Sequence, residues 1–348
     1  MEEAVDEVVD EAVAVGEGMD EVVVPLRRHA VLEPGDGGDP TDEAVSVALA
    51  PGGRIVVLWT ARARAEATQA RITAPSGVSF PETRMSADVS ARVTVHAPDA
   101  VEVARIPRLP VSHPYAQLLP EDRMLLVGAR ALWRPEPEGP ERNAVALDAD
   151  GRVLAEGVFG DGIAGVVTTP AGNSWVRYND EGIFGNYGWG RDGAPPPVGA
   201  SGLVRFGPDL RRDWTYSSAG DELDGMWGAP ALNVDGETAW VSYEQTHPIV
   251  RISDGRPTGW AHDTLGRINF LLVDADRVAA LGSPRAAGAP AQVTGRLADG
   301  RFHPTAAFRL VMPDGSPLPA RRRTFGQGPD LHVLCGLDWY RVGLDELP

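Results

Sequence analysis

The sequence predicts an all-β fold, a β-propeller of six four-stranded blades that occupies residues 22–348 as a single domain. Three observations predict it: short apolar runs separated by turns, one pattern that occurs twice in the middle of the chain, and a spare strand near the N-terminus. The chain of 348 residues contains 40 glycines and 30 prolines. Such frequent turn residues between short apolar runs are typical of folds built from many short strands.

The repeated pattern is a tryptophan-bearing strand, an apolar strand with a central Val-Arg pair, and a second tryptophan. Its two copies are Trp175–Tyr178, Leu203–Phe206 and Trp214, and then Trp240–Tyr243, Ile249–Ile252 and Trp260. The first strands lie 65 positions apart, but the second strands and the second tryptophans lie 46 apart, so the first copy contains 19 extra residues. We interpret the tryptophans as blade framework and the extra residues as an inserted loop.

Strand-like runs fall into groups with the four-strand spacing of propeller blades. The groups are residues 44–106, 113–157, 162–216, 229–262, 267–312 and 321–344. The last group has three strands, and the run Val22–Leu32 is expected to supply its fourth and so close the ring, which removes two open sheet edges. A seven-bladed alternative stays open because residues 61–112 are hard to assign, and no internal helix is predicted.

The formal charge is −17, and residues 1–22 contain nine acidic side chains and no basic one. Residues 1–21 are therefore predicted to form an acidic tail, as an amphipathic helix or a disordered segment. The acidic chain argues against nucleic acid and anionic membranes as partners. The single cysteine, Cys335, excludes a disulfide within the chain. Because no signal peptide or membrane span is evident, we expect a soluble, cytoplasmic monomer.

The repeat unit, Gly followed by Trp-Val-x-Tyr and an apolar-Val-Arg strand, resembles the repeats of regulator-type propellers. These form the sensor regions of some two-component regulators. The second copy, through Ile249–Gly255, is also similar to the repeat of streptogramin B lyase propellers. That resemblance implies a β-propeller, and for the lyases a His/Glu acid–base pair aided by a divalent ion, which cannot be assigned to positions here.

The inserted loop, residues 180–200, joins the second and third strands of its blade and should project over one mouth of the central channel. Ligand sites favour such a mouth, because loops from several blades meet there on a rigid frame. Aromatic residues separated by glycines can form a large, adaptable contact surface. The candidate ligand-binding residues are Asp180, Phe184, Asn186, Tyr187, Trp189, Asp224 and Trp227. A lid that only shields the channel is the alternative interpretation of the loop.

Acidic residues of neighbouring connections would form a rim on the same face, and Glu181, Glu244 and His247 are the candidate catalytic residues. Oxygen-rich clusters suit Ca²⁺ or Mg²⁺, but no ligand spacing defines a metal site, so no cofactor is required and the metal ligands are unknown. Two functions stay open. One is a propeller of WD40-like architecture that binds a small molecule or protein at the channel mouth. The alternative is a metal-assisted lyase, lactonase or other hydrolase.

Overall fold

The computed structural model describes residues 19–348 except positions 36–37, 98, 192, 217–222, 224, 229–230 and 244–247. Six sheets, antiparallel except for one added strand, stand in a ring as the blades of a β-propeller, which confirms the predicted fold and the six-bladed count. The predicted tail, residues 1–21, lies mostly outside the described residues, and its last residue, Glu21, belongs to a strand.

Each blade is numbered in chain order and its strands run from the channel outward. Blade 1 contains Glu43–Ala50, Arg54–Thr60, Ala91–His96 and Ala100–Ile106. Blade 2 contains Pro114–Leu118, Met124–Gly128, Ala144–Leu147 and Val153–Gly157. Blade 3 contains Ile163–Thr168, Ser174–Tyr178, Leu203–Phe206 and Arg212–Thr215.

The second half of the ring follows the same order. Blade 4 contains Ala231–Asp235, Thr238–Ser242, Ile249–Ser253 and Arg256–Trp260. Blade 5 contains Leu265–Asp274, Arg277–Pro284, Gln292–Ala298 and Arg301–Val311. Blade 6 contains Arg323–Gln327, Asp330–Cys335 and Asp338–Gly343.

The N-terminal run closes the ring differently from the prediction. It is two strands rather than one. Arg27–Val31 pairs antiparallel with Asp338–Gly343 as the expected fourth strand of blade 6, whereas Glu21–Pro25 pairs parallel with Arg301–Val311 as a fifth strand of blade 5. The break lies at Leu26, whose side chain is 1% exposed and packs between these two blades. Proline before it lacks the N–H that a continuous ladder needs.

Among the described residues, four short elements show that the prediction of no internal helix was wrong. Arg62–Ala65 is α-helical and Glu66–Gln69 is a 3₁₀ turn, both between the second and third strands of blade 1. Asp180–Phe184 is α-helical and Leu344–Glu346 is a 3₁₀ turn. A two-stranded hairpin, Arg71–Thr73 with Ser79–Pro81, also lies outside the blades. This hairpin explains why residues 61–112 were hard to assign.

Hydrophobic clusters fill the space between each pair of consecutive blades, including blades 6 and 1. Trp175 belongs to the cluster between blades 3 and 4, and Trp240 to the one between blades 4 and 5, as predicted for framework tryptophans. Each pairs across the strand with the arginine of its repeat, Arg205 or Arg251. The two copies are therefore the same structural unit in neighbouring blades.

Candidate functional site

The loops between the second and third strands of blades 1, 2 and 3 meet on one face of the ring. The Tyr187 hydroxyl, in the blade 3 loop, donates a hydrogen bond to the Pro81 carbonyl of the blade 1 loop at 2.7 Å. The Trp189 indole N–H donates to the Ala131 carbonyl of the blade 2 loop at 2.8 Å. The inserted loop is thus bound to the corresponding loops of blades 1 and 2.

The short helix Asp180–Phe184 begins the inserted loop and is packed tightly against the connection between blades 2 and 3. The Asn179 side chain caps it by accepting a hydrogen bond from the Gly182 N–H at 3.1 Å. A Cβ atom on Gly182 would lie 2.5 Å from the Asp161 carbonyl oxygen. This glycine is needed for close approach, rather than for the adaptability that the sequence analysis assigned to the loop glycines.

A buried charge cluster lies beneath the loop. The Arg130 guanidinium contacts both Asp161 and Glu181, and its Nη2 donates to Asp161 Oδ2 at 3.1 Å. Burial raises the pKa of Asp161 to about 6, although the Arg130 charge and the hydrogen bond from the Ala131 N–H oppose it. The Arg130 guanidinium also lies over the Tyr187 ring, 4.5 Å from its centroid. The cluster joins the loops of blades 2 and 3 through charge and ring contacts.

Glu181, one of the predicted catalytic residues, belongs to this cluster. One carboxylate oxygen contacts Arg130 and the other accepts a hydrogen bond from the Asn186 side-chain amide at 2.9 Å. Both oxygens are thus engaged in holding the loop. The other two predicted catalytic residues, Glu244 and His247, lie outside the described residues, as does the predicted ligand-binding residue Asp224.

The remaining predicted residues divide into two groups. In the first group, Tyr187 and the buried Trp189 contact neighbouring loops, and Asn186 contacts Glu181 within the inserted loop. Phe184 and Trp227 are 65% and 62% exposed, with ring centroids 6.4 Å apart. Asp180 and Trp227 both line a cavity of about 680 Å³ at the mouth of the channel.

This mouth cavity also contains polar residues that the sequence analysis did not select. Its full lining is Ala164, Arg177, Tyr178, Asn179, Asp180, Trp227, Gly228, Arg267, Asn269 and Phe270. Arg177 lies on the second strand of blade 3, yet it also lines the channel below, because Gly165 on the innermost strand has no side chain to block it. A Cβ on Gly165 would lie 2.7 Å from the Arg177 Nε.

The electrostatics of Arg177 reflect its position. Burial lowers the pKa of its guanidinium, the Tyr115 hydroxyl opposes this, and the positive charge of Arg267 lowers the pKa further. Two arginines on different blades therefore act on each other at one end of the channel. In the described ranges no three His, Cys, Asp or Glu residues lie close enough to hold a metal ion.

No family model matches the chain, and no curated protein matches it. Among solved structures, it is similar to a gluconolactonase from Xanthomonas campestris, at 12% identity over 91% of this chain and 99% of the other, with a TM-score of 0.39. It is also similar to the AztD protein of Citrobacter koseri, at 10% identity over 82% of this chain and 79% of the other, with a TM-score of 0.38.

A third similar structure is the extracellular domain of a proposed hybrid two-component system from B. thetaiotaomicron. The identity is 9% over 93% of this chain and 43% of the other, and the TM-score is 0.41. At these identities the likenesses concern the fold alone. Within the part of the chain that the structure describes, no helix is long and apolar enough to cross a membrane.

Proposed function

We propose that this propeller binds a small molecule at the mouth of its channel, on the face that carries the inserted loop. The observation that supports the proposal is the cavity of about 680 Å³ lined by Asp180 and Trp227. A volume of this size lies in the range of small-molecule sites, which combine apolar walls with a few polar groups. Trp227 and Phe270 supply apolar wall, and Asn179 and Asn269 supply amides.

The loop contacts favour binding over shielding alone. Its Tyr187 and Trp189 side chains hold it against other loops and Asn186 contacts Glu181 within it, while Asp180 stays at the cavity and Phe184 stays exposed beside Trp227. A loop already fixed by such contacts loses little conformational freedom when a ligand arrives, which favours affinity. The metal-assisted lyase or hydrolase alternative lacks comparable support, since the Glu181 carboxylate is engaged by Arg130 and Asn186.

A thermal-shift screen of neutral and charged small molecules tests the proposal, with Trp227→Ala and Phe80→Ala as a matched pair. Both side chains are exposed aromatics, but Phe80 belongs to the hairpin outside the cavity. Compounds that raise the Tm of the wild type should lose their effect on Trp227→Ala and keep it on Phe80→Ala. The proposal is wrong if no compound stabilises the wild type, or if both variants respond as the wild type does.

A further inference from the structure

The strongest unassigned feature of the mouth cavity is its pair of arginines. Arg177 comes from blade 3 and Arg267 from the innermost strand of blade 5, and both line the same cavity together with the Asn269 amide. Both arginines have partners within the protein. The inference requires only that their guanidiniums face a common space, because a guanidinium carries five N–H donors and can serve a ligand as well as a protein group.

Local backbone irregularities place these residues at the cavity. The innermost strand of blade 3 shifts register between Ile163 and Gly165, and that of blade 5 shifts twice, between Leu265 and Arg267 and between Ile268 and Phe270. β-bulges of this kind redirect side chains and are common beside active sites. Arg267 and Asn269 lie within or beside the shifted positions of blade 5.

Gly165 is a second, independent observation, because its lack of a side chain lets Arg177 reach the channel. An arginine on a second strand would normally be covered by the side chain of the innermost strand. Here its Nε lies 2.7 Å from where a Cβ of residue 165 would be, and Arg177 reaches both the mouth and the channel interior. Arg177 and Arg267 therefore bring two guanidinium groups to one cavity, and guanidinium groups are well matched to anionic ligands.

We propose that the channel mouth recognises an oxyanionic group of its ligand, a carboxylate or a phosphate, through the guanidiniums of Arg177 and Arg267 and the Asn269 amide. This inference rests on the proposed function and adds the chemical class of the ligand. Guanidiniums match both oxyanions, because their N–H groups can donate two parallel hydrogen bonds. The chain carries a net charge of −17, so general attraction of anions to the protein surface cannot supply the binding.

The probes are inorganic phosphate and citrate, each titrated by calorimetry into the full chain at low ionic strength. The titrations are then repeated with sodium chloride added, so that both probe solutions have the same ionic strength. The test variant is Arg267→Gln, which changes an exposed arginine, and the matched control is Arg152→Gln, which changes an exposed arginine in the turn before the outer strand of blade 2. Arg267→Gln should weaken binding of the responding anion about tenfold, while the control should bind as the wild type does. The anion that responds distinguishes phosphate from carboxylate recognition.

A second variant, Gly165→Ala, keeps both charges but displaces Arg177, and should also weaken binding. The inference is overturned if Arg267→Gln binds both anions as tightly as the wild type, or if neither anion binds the wild type. In the latter case, neutral compounds that still act through Trp227 would leave the proposed function standing. Failure of every compound in both experiments would overturn both.

Discussion

His96 should make the stability of the fold depend on pH. This histidine ends the third strand of blade 1 and is fully buried. Its Nε2 lies 2.9 Å from the Thr94 hydroxyl, which in turn accepts a hydrogen bond from the Trp59 indole N–H at 2.7 Å. The Thr94 proton is therefore free to point at Nε2, which assigns the histidine proton to Nδ1, an atom with no hydrogen-bond partner in the described structure.

The size of the effect follows from the pKa of this group. Burial lowers the pKa of His96 from 6.5 to about 4. Between these values the unfolded chain binds a proton that the folded chain excludes, so acidification favours unfolding. The contribution is absent well above pH 6.5, grows as the pH falls below it, and is complete below about pH 4. Between pH 7 and pH 5 the linkage relation gives a loss of about 2 kcal/mol from this residue.

Urea unfolding at pH 7 and pH 5 measures this loss in the wild type, in His96→Gln and in His303→Gln, an exposed control on blade 5. His332, whose pKa burial lowers to about 3, contributes equally to all three proteins. The wild type and the control should each lose about 2 kcal/mol more than His96→Gln. An equal loss in all three proteins would refute the assignment of His96 as a buried, neutral group.

Three further predictions concern closure, blade contacts and the loop. Leu26→Ala should lower the free energy of unfolding in urea by about 3 kcal/mol. The control is Val23→Ala, because Val23 is 49% exposed on the neighbouring strand, and it should lose less than about 1 kcal/mol. Equal losses would contradict the role of Leu26 in closing the ring. Asn233→Ala should cost about 3 kcal/mol in the same assay, because its amide binds Leu271 of blade 5 and Gly328 of blade 6; a loss within error would contradict that role. Glu181→Gln should speed tryptic cleavage of the inserted loop at the exposed Arg191, and an unchanged rate would show that the Arg130 contact does not hold the loop.

The blade positions could be predicted because each blade repeats a local pattern. The spacing of the two tryptophan-bearing copies placed blades 3 and 4 and identified the inserted loop, and the shortage of one strand at the end of the chain indicated closure by the N-terminal run. The division of that run at Leu26 is marked in the sequence by Pro25, but its meaning depends on two partner strands near the other end of the chain.

The lining of the mouth cavity was predicted only in part, because it also depends on how strands pair. Asp180 and Trp227 were selected by their loops and do line the cavity, since loop position follows from strand order. Arg177 was missed because its access to the channel depends on Gly165, its cross-strand neighbour, and such pairing is not visible in the residues around either position. Arg267 and Asn269 were missed because bulges, and not simple alternation, direct their strand.

Different residues of the inserted loop hold the loop in place and line the mouth cavity. Tyr187 and Trp189 are residue types suited to ligand contact, but their side chains bind neighbouring loops instead. These contacts hold the helix that carries Asp180. The cavity then combines one wall fixed by the loop with a floor of strand residues that the blades hold in place, Arg267 and Asn269 from an innermost strand and Arg177 from a second strand. Because the loop is held by these contacts, the proposed ligand would meet this wall already in position, at a small cost of reorganisation. Selectivity at the proposed site should therefore follow the charge of the ligand at the floor and its apolar body at Trp227.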